Sequence, residues 1–145
     1  MNPLSLAVVL RTHSRATIVT IAIVGCAAFT QIAHSATPAD LLAGYETLAG
    51  SKASPVRGQR IFMTRPQSRD WSCASCHGAL PTQPGKHAST GKPIAALAPE
   101  FNPERFNDAA RVDKWFRRNC NDVMGRECTA AEKADVLSWL MTLKP

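Results

Sequence analysis

Cys73-Ala74-Ser75-Cys76-His77 places two thiols three positions apart, with an imidazole directly after the second. This spacing decides the reading of the whole chain. Two thiols so placed can add to the two vinyl groups on one edge of a porphyrin, and the adjacent histidine is then carried beneath the iron. One covalently attached haem c is the implied cofactor, bound through Cys73 and Cys76 and ligated by His77. A thioredoxin-like redox pair would need a strand-to-helix setting, which the flanking pattern does not supply. A structural zinc site would need a second ligand pair at matching spacing, and no such pair follows.

Working outward, the residues on either side read as helices. Upstream, Ser54-Pro55 is a start signal for a helix reaching about Met63, with Gly58 and Phe62 on one face. Before it, Thr37-Pro38-Ala39-Asp40 opens another, whose apolar positions Leu41, Leu42, Tyr45 and Leu48 keep helical spacing until Gly50. Downstream, residues 66–103 are rich in Pro, Gly, Ser and Thr. So long an irregular stretch needs something other than secondary structure to organise it, and a haem would do so. Helical pattern returns at Asp108, with Ala109, Val112, Trp115 and Phe116 on a common side, and is expected to end near Asn119. Thr129-Ala130-Ala131-Glu132 fits a capping box for a last helix carrying Val136, Leu137, Trp139, Leu140 and Met141. No strand pattern of useful length appears, so the fold class is all-α. Gly58 and Phe62 ahead of the motif, with Trp139 in the last helix, resemble the crossing of terminal helices in class I cytochromes c. That resemblance implies one such domain wrapped around the haem.

The first 36 residues stand apart. Arg11 and Arg15 precede an apolar run from Ala16 to Phe29, and no acid occurs before Asp40. This is the layout of a secretory signal peptide, with small residues at Ala33-His34-Ser35-Ala36 for cleavage. The expected organisation is a signal segment over 1–36, or an uncleaved anchor, and a cytochrome c domain over 37–145. Lipidation of Cys26 is a further route to a membrane tether. Either way the domain is exported, with the periplasm as its compartment. Subtracting Arg11 and Arg15 from 17 basic residues leaves 15 against 11 acids, a net of +4. This mild basic surplus suits an acidic redox partner, and no basic stripe with interleaved aromatics suggests nucleic acid. Of five cysteines, Cys26 lies in the signal and two belong to the motif. Cys120 and Cys128 remain, and an oxidising compartment predicts a disulfide between them. The chain-entropy gain would be roughly 2.6 kcal/mol.

The residue on the other face of the iron decides the chemistry. A permanent strong ligand gives a low-spin electron carrier, whereas a weak one leaves a position for small molecules. Spacing alone points to Met124, in the expected loop between the last two helices. Met63 precedes the motif and Met141 belongs to a packing face. His87 lies in the Gly/Pro-rich stretch and would give a bis-histidine site.

Longer stretches carry a more specific resemblance. Leu41-Leu42-Ala43-Gly44-Tyr45-Glu46, Cys73-Ala74-Ser75-Cys76-His77-Gly78, Pro103-Glu104-Arg105-Phe106, Ala110-Arg111-Val112-Asp113-Lys114-Trp115, Arg118-Asn119-Cys120-Asn121 and Gly125-Arg126-Glu127-Cys128-Thr129 resemble the sphaeroides haem protein (SHP) family of high-spin cytochromes c. The resemblance implies that Asn119, directly before the first disulfide cysteine, ligates the oxidised iron weakly and leaves on reduction. Oxygen, nitric oxide or carbon monoxide could then bind. It also implies electrons from a partner cytochrome, a dihaem cytochrome c or a membrane cytochrome b. Gas binding without turnover, oxygen reduction and conversion of nitric oxide are the activities it would allow. Met124 departs from the aliphatic residue of that family, which keeps the methionine-ligated electron carrier as the alternative.

Overall fold

The computed structural model describes residues 36–145. Arg11, Arg15, the apolar run and Cys26, on which the signal-peptide and lipidation expectations rest, lie outside the described residues. Among those described, no helix is long and apolar enough to cross a membrane.

The described residues form five helices: α1 (Pro38–Ala49), α2 (Pro55–Met63), α3 (Cys73–His77), α4 (Ala109–Met124) and α5 (Ala130–Leu140). Their starts follow local chemistry. Thr37 Oγ1 accepts from the Asp40 N–H while Asp40 Oδ2 accepts from the Thr37 N–H. Ser54 and Asp108 accept from the Arg57 and Arg111 amides. Thr129 and Glu132 close the predicted capping box. Each satisfies backbone donors that a helix start would otherwise leave bare.

Helix α5 forms the centre of the fold. Its residues Ala134 to Leu140 are all buried, so α1 and α2 can pack against different sides of it. Leu137 and Leu140 are wholly enclosed, each worth about 2 kcal/mol of apolar burial. The crossing of α2 and α5 takes place at Gly58. A Cβ at that position would lie 1.9 Å from the Asp135 carbonyl oxygen, so only glycine admits the close backbone approach. One turn on, the Phe62 and Trp139 rings meet with centroids 4.8 Å apart. This is the predicted terminal-helix crossing. Asp135, almost fully buried, fastens it by accepting from the Ser54 amide and, in bidentate fashion, from Arg57. Helix α4 joins through Tyr45, whose hydroxyl donates to Asp113, and through Lys133, which donates to the same carboxylate.

Three details differ from expectation. Residues 66–103 hold α3, a two-residue β pair, β1 (Gly85–Lys86) with β2 (Pro93–Ile94), and one 3₁₀ turn at Pro99–Phe101. The carbonyl of the buried Pro81 accepts from both Leu97 and Ala98 amides, tying this excursion back on itself. Helix α4 does not end near Asn119 but continues to Met124. Nothing between the two breaks a helix, and Gly125, in the left-handed conformation at φ 73°, is the stop. Asn119 is therefore an interior helical residue, and Met124 is the last residue of α4 rather than part of a loop.

Candidate haem-binding site

The C-x-x-C-H residues form the single helix α3, so both thiols and the imidazole issue from about one and a half turns. Ser72 starts this helix, its amide donating to Ser75 Oγ. On the outer side, the backbone of β1 leans on α3: Gly85 lies against the Cys76 carbonyl, and the Ala88 amide donates to Cys76 Sγ at 3.2 Å. Cys73 and Cys76 are both half-buried and unbonded to each other. Burial, the largest cause, pushes the Cys73 thiol up to about 11. Such a thiol is protonated at neutral pH, unlike the depressed thiolate of a redox C-x-x-C. Among the described residues no three His, Cys, Asp or Glu side chains gather to hold a metal ion.

His77 sits beside Phe62, with ring centroids 6.2 Å apart. Burial first, and the charge of Arg105 second, lower its pKa to about 4, which keeps the ring neutral with a lone pair for iron. A half-buried neutral imidazole and two adjacent half-buried thiols on one short helix fit a porphyrin attached at its vinyl edge. When bound, haem supplies an iron centre for electron transfer or gas binding.

The candidates for the opposite face are separated by the continuity of α4. Asn119 lies within about 20° of the buried Val112 around the helix axis, two turns apart. Met124 lies about 140° further round, so the two cannot face the same ligand plane. The structure turns the Met124 thioether to Cys128, sulfur to sulfur at 3.4 Å. Cys120 and Cys128 approach to a Cα–Cα separation of 5.6 Å with their sulfurs bonded. Asn119 is exposed, and no hydrogen bond ties its amide to another described residue. By contrast the neighbouring Asn121 donates to the Arg117 carbonyl. His87 lies in the turn between the two short strands, where its Nδ1 accepts from the Thr90 amide. Met63 ends α2 and is partly exposed, and Met141 caps α5 against the core.

The helical crossing and the attachment motif together define a c-type cytochrome of the class I architecture. Comparison with known proteins supports and narrows this. Residues 48–140 match the family described as a domain of unknown function (DUF1924). The chain is 49% identical over 114 residues to the cytochrome c-type protein SHP of Cereibacter sphaeroides, covering 75% of this chain and 86% of that one. It is 38% identical over 118 residues to cytochrome c'' of Methylophilus methylotrophus, covering 79% and 74% respectively. Among solved structures it is similar to oxidised SHP, described as an oxygen-binding cytochrome c, with a TM-score of 0.71, 48% identity and coverage of 75% and 99%. The solution structure of cytochrome c'', concerned with the structural basis of haem-ligand detachment, gives 0.67 at 32% identity and coverage of 74% and 94%. The chain belongs to the SHP family of c-type cytochromes and carries covalently bound haem c. Because thioethers hold that haem, acid-acetone extraction of the denatured holoprotein should leave the chromophore with the polypeptide. Haem in the organic phase would contradict covalent attachment.

Proposed function

We propose that this protein is an exported, periplasmic, monohaem high-spin cytochrome that binds a diatomic gas when reduced. Cys73 and Cys76 hold the haem, His77 is the proximal ligand and Asn119 is a weak distal ligand of the oxidised state. A disulfide between Cys120 and Cys128 braces α4 immediately beyond Asn119. One observation carries the reading: Asn119 and Met124 lie on different sides of α4, and the methionine sulfur is turned to the Cys128 sulfur at 3.4 Å. An amide oxygen is a hard, weak-field donor, matched to ferric iron and poorly held by ferrous iron. Its departure on reduction opens a position for oxygen, nitric oxide or carbon monoxide, and the side-chain NH₂ remains to donate a hydrogen bond there. The oxygen-binding relative and the relative studied for haem-ligand detachment support this reading. Electrons would come from a partner cytochrome, a dihaem cytochrome c or a membrane cytochrome b, docking on the mildly basic surface.

Electron paramagnetic resonance of the ferric holoprotein tests the assignment. A high-spin spectrum is expected, and Met124→Leu should leave it nearly unchanged. A low-spin wild type that becomes high-spin on this substitution would make Met124 the ligand and the protein an electron carrier. Rapid multiple turnover with a reductant and oxygen or nitric oxide would separate catalysis from binding alone.

A further inference from the structure

Among the described residues, 13 of the 15 lysines and arginines are exposed; only Arg105 and Lys133 are not. Lys133 has its counter-charge in Asp113 at 2.8 Å. Arg105 has no carboxylate within ion-pair reach among the described residues. Its Nε donates to the Ala96 carbonyl at 3.3 Å and its Nη2 to the Ala95 carbonyl at 3.4 Å. Two neutral acceptors orient the guanidinium and leave about three of its five N–H donors free. A half-buried cation so placed calls for an anion, because partial desolvation without a counter-charge is unfavourable.

The position is built rather than incidental. Asn102 Nδ2 also donates to the Ala96 carbonyl, and Leu97 and Ala98 are tethered to Pro81, four residues beyond His77. On the other side Phe106 is buried in the left-handed conformation at φ 57°, a strained state for a residue with a Cβ. Arg105 is thereby fixed from both sides, on a segment tied back to the chain just beyond His77. The group that His77 ligates brings carboxylates of its own, the two porphyrin propionates.

We propose that Arg105 is a further cofactor-binding residue, its guanidinium pairing with a haem propionate. The inference depends on haem attachment beside His77 and is independent of which residue occupies the distal side. The planar fork of an arginine matches a carboxylate in a bidentate pair. Neutralising a propionate also removes a negative charge that would favour ferric over ferrous iron, so Arg105 raises the reduction potential.

Spectroelectrochemical titration of the holoprotein at neutral pH tests this. Arg105→Gln keeps an amide donor for the Ala96 carbonyl but loses the charge. It should shift the equilibrium about tenfold toward ferric haem, a fall of about 59 mV for this one-electron couple. Arg105→Lys keeps the charge and should shift it by less than about threefold. A residue that only pinned the 95–98 segment would lower the melting temperature in both variants and leave the potential where it was. An unchanged potential in Arg105→Gln, or equal falls in both variants, would overturn the proposal. If Arg105→Gln fails to mature, a crystal structure of the wild-type holoprotein decides. A guanidinium nitrogen within about 4 Å of a propionate oxygen is expected, and a longer separation from every propionate oxygen overturns the pairing.

Discussion

Gly58→Ala is expected to destabilise the holoprotein by about 3 kcal/mol, with a fall in melting temperature of about 12 °C at roughly 4 °C per kcal/mol. The added Cβ would lie 1.9 Å from the Asp135 carbonyl oxygen and 2.4 Å from its carbon, far inside van der Waals contact. Helix α5 cannot yield at this point. The Asp135 carboxylate is held by the Ser54 amide and by Nε and Nη2 of Arg57, and one turn on Trp139 is locked against Phe62. The helices must therefore separate, which loosens the aromatic pair as well. Gly44 in α1 is the matched control, because a Cβ there would meet nothing within 4 Å. Gly44→Ala should be neutral or stabilising by about 0.5–1 kcal/mol through helix propensity. Denaturant midpoints of the two variants measure both effects. If Gly58→Ala cost no more than about 1 kcal/mol, the crossing would not be the rigid contact the backbone distances describe.

The legible parts of the sequence were those governed by local chemistry. Thr37, Ser54, Asp108 and Thr129 were each readable as helix starts because a short polar side chain beside a helical pattern has few other roles there. C-x-x-C-H was legible because its spacing is set by the cofactor, and Gly58, Phe62 and Trp139 because a close crossing needs one small residue and two large ones. The end of α4 was misread because the apolar stripe lapses after Phe116. The last two turns are fastened instead by Cys120, Cys128 and Met124, and a sulfur-mediated attachment leaves no hydrophobic periodicity. Residues 66–103 looked formless because their order is tertiary: Pro81 anchors Leu97 and Ala98 from about sixteen positions away. The Tyr45–Asp113–Lys133 cluster was invisible for the same reason, its members coming from three different helices. Arg105 carried no motif signal beyond the family resemblance. Its distinction is that it is half-buried without a carboxylate partner among the described residues, which only the folded chain reveals.

Asn119→Ala and Asn119→His should move the site in opposite directions, and together they test the distal assignment most severely. An interior α4 position makes the alanine variant a clean probe, since alanine favours helix over asparagine by about 0.5 kcal/mol and no hydrogen bond to another described residue is lost. Ferric Asn119→Ala should pass from six-coordinate to five-coordinate or water-ligated, with exogenous anions binding faster. Carbon monoxide association with the ferrous protein should stay within a small factor of wild type, because reduction already frees that position. Oxygen release should accelerate about fivefold if the amide NH₂ donates to the bound gas, the loss of one hydrogen bond being worth about 1 kcal/mol. Asn119→His instead places a strong-field nitrogen on the same face as Val112, able to hold iron in both oxidation states. Its ferric spectrum should become low-spin, and carbon monoxide binding should slow by orders of magnitude because the new ligand must first leave. The histidine variant also guards against a silent result: a side chain that does not reach the iron cannot create a low-spin centre. If neither substitution altered ferric coordination or anion kinetics, Asn119 would be a surface residue of α4, and another residue would have to face the iron.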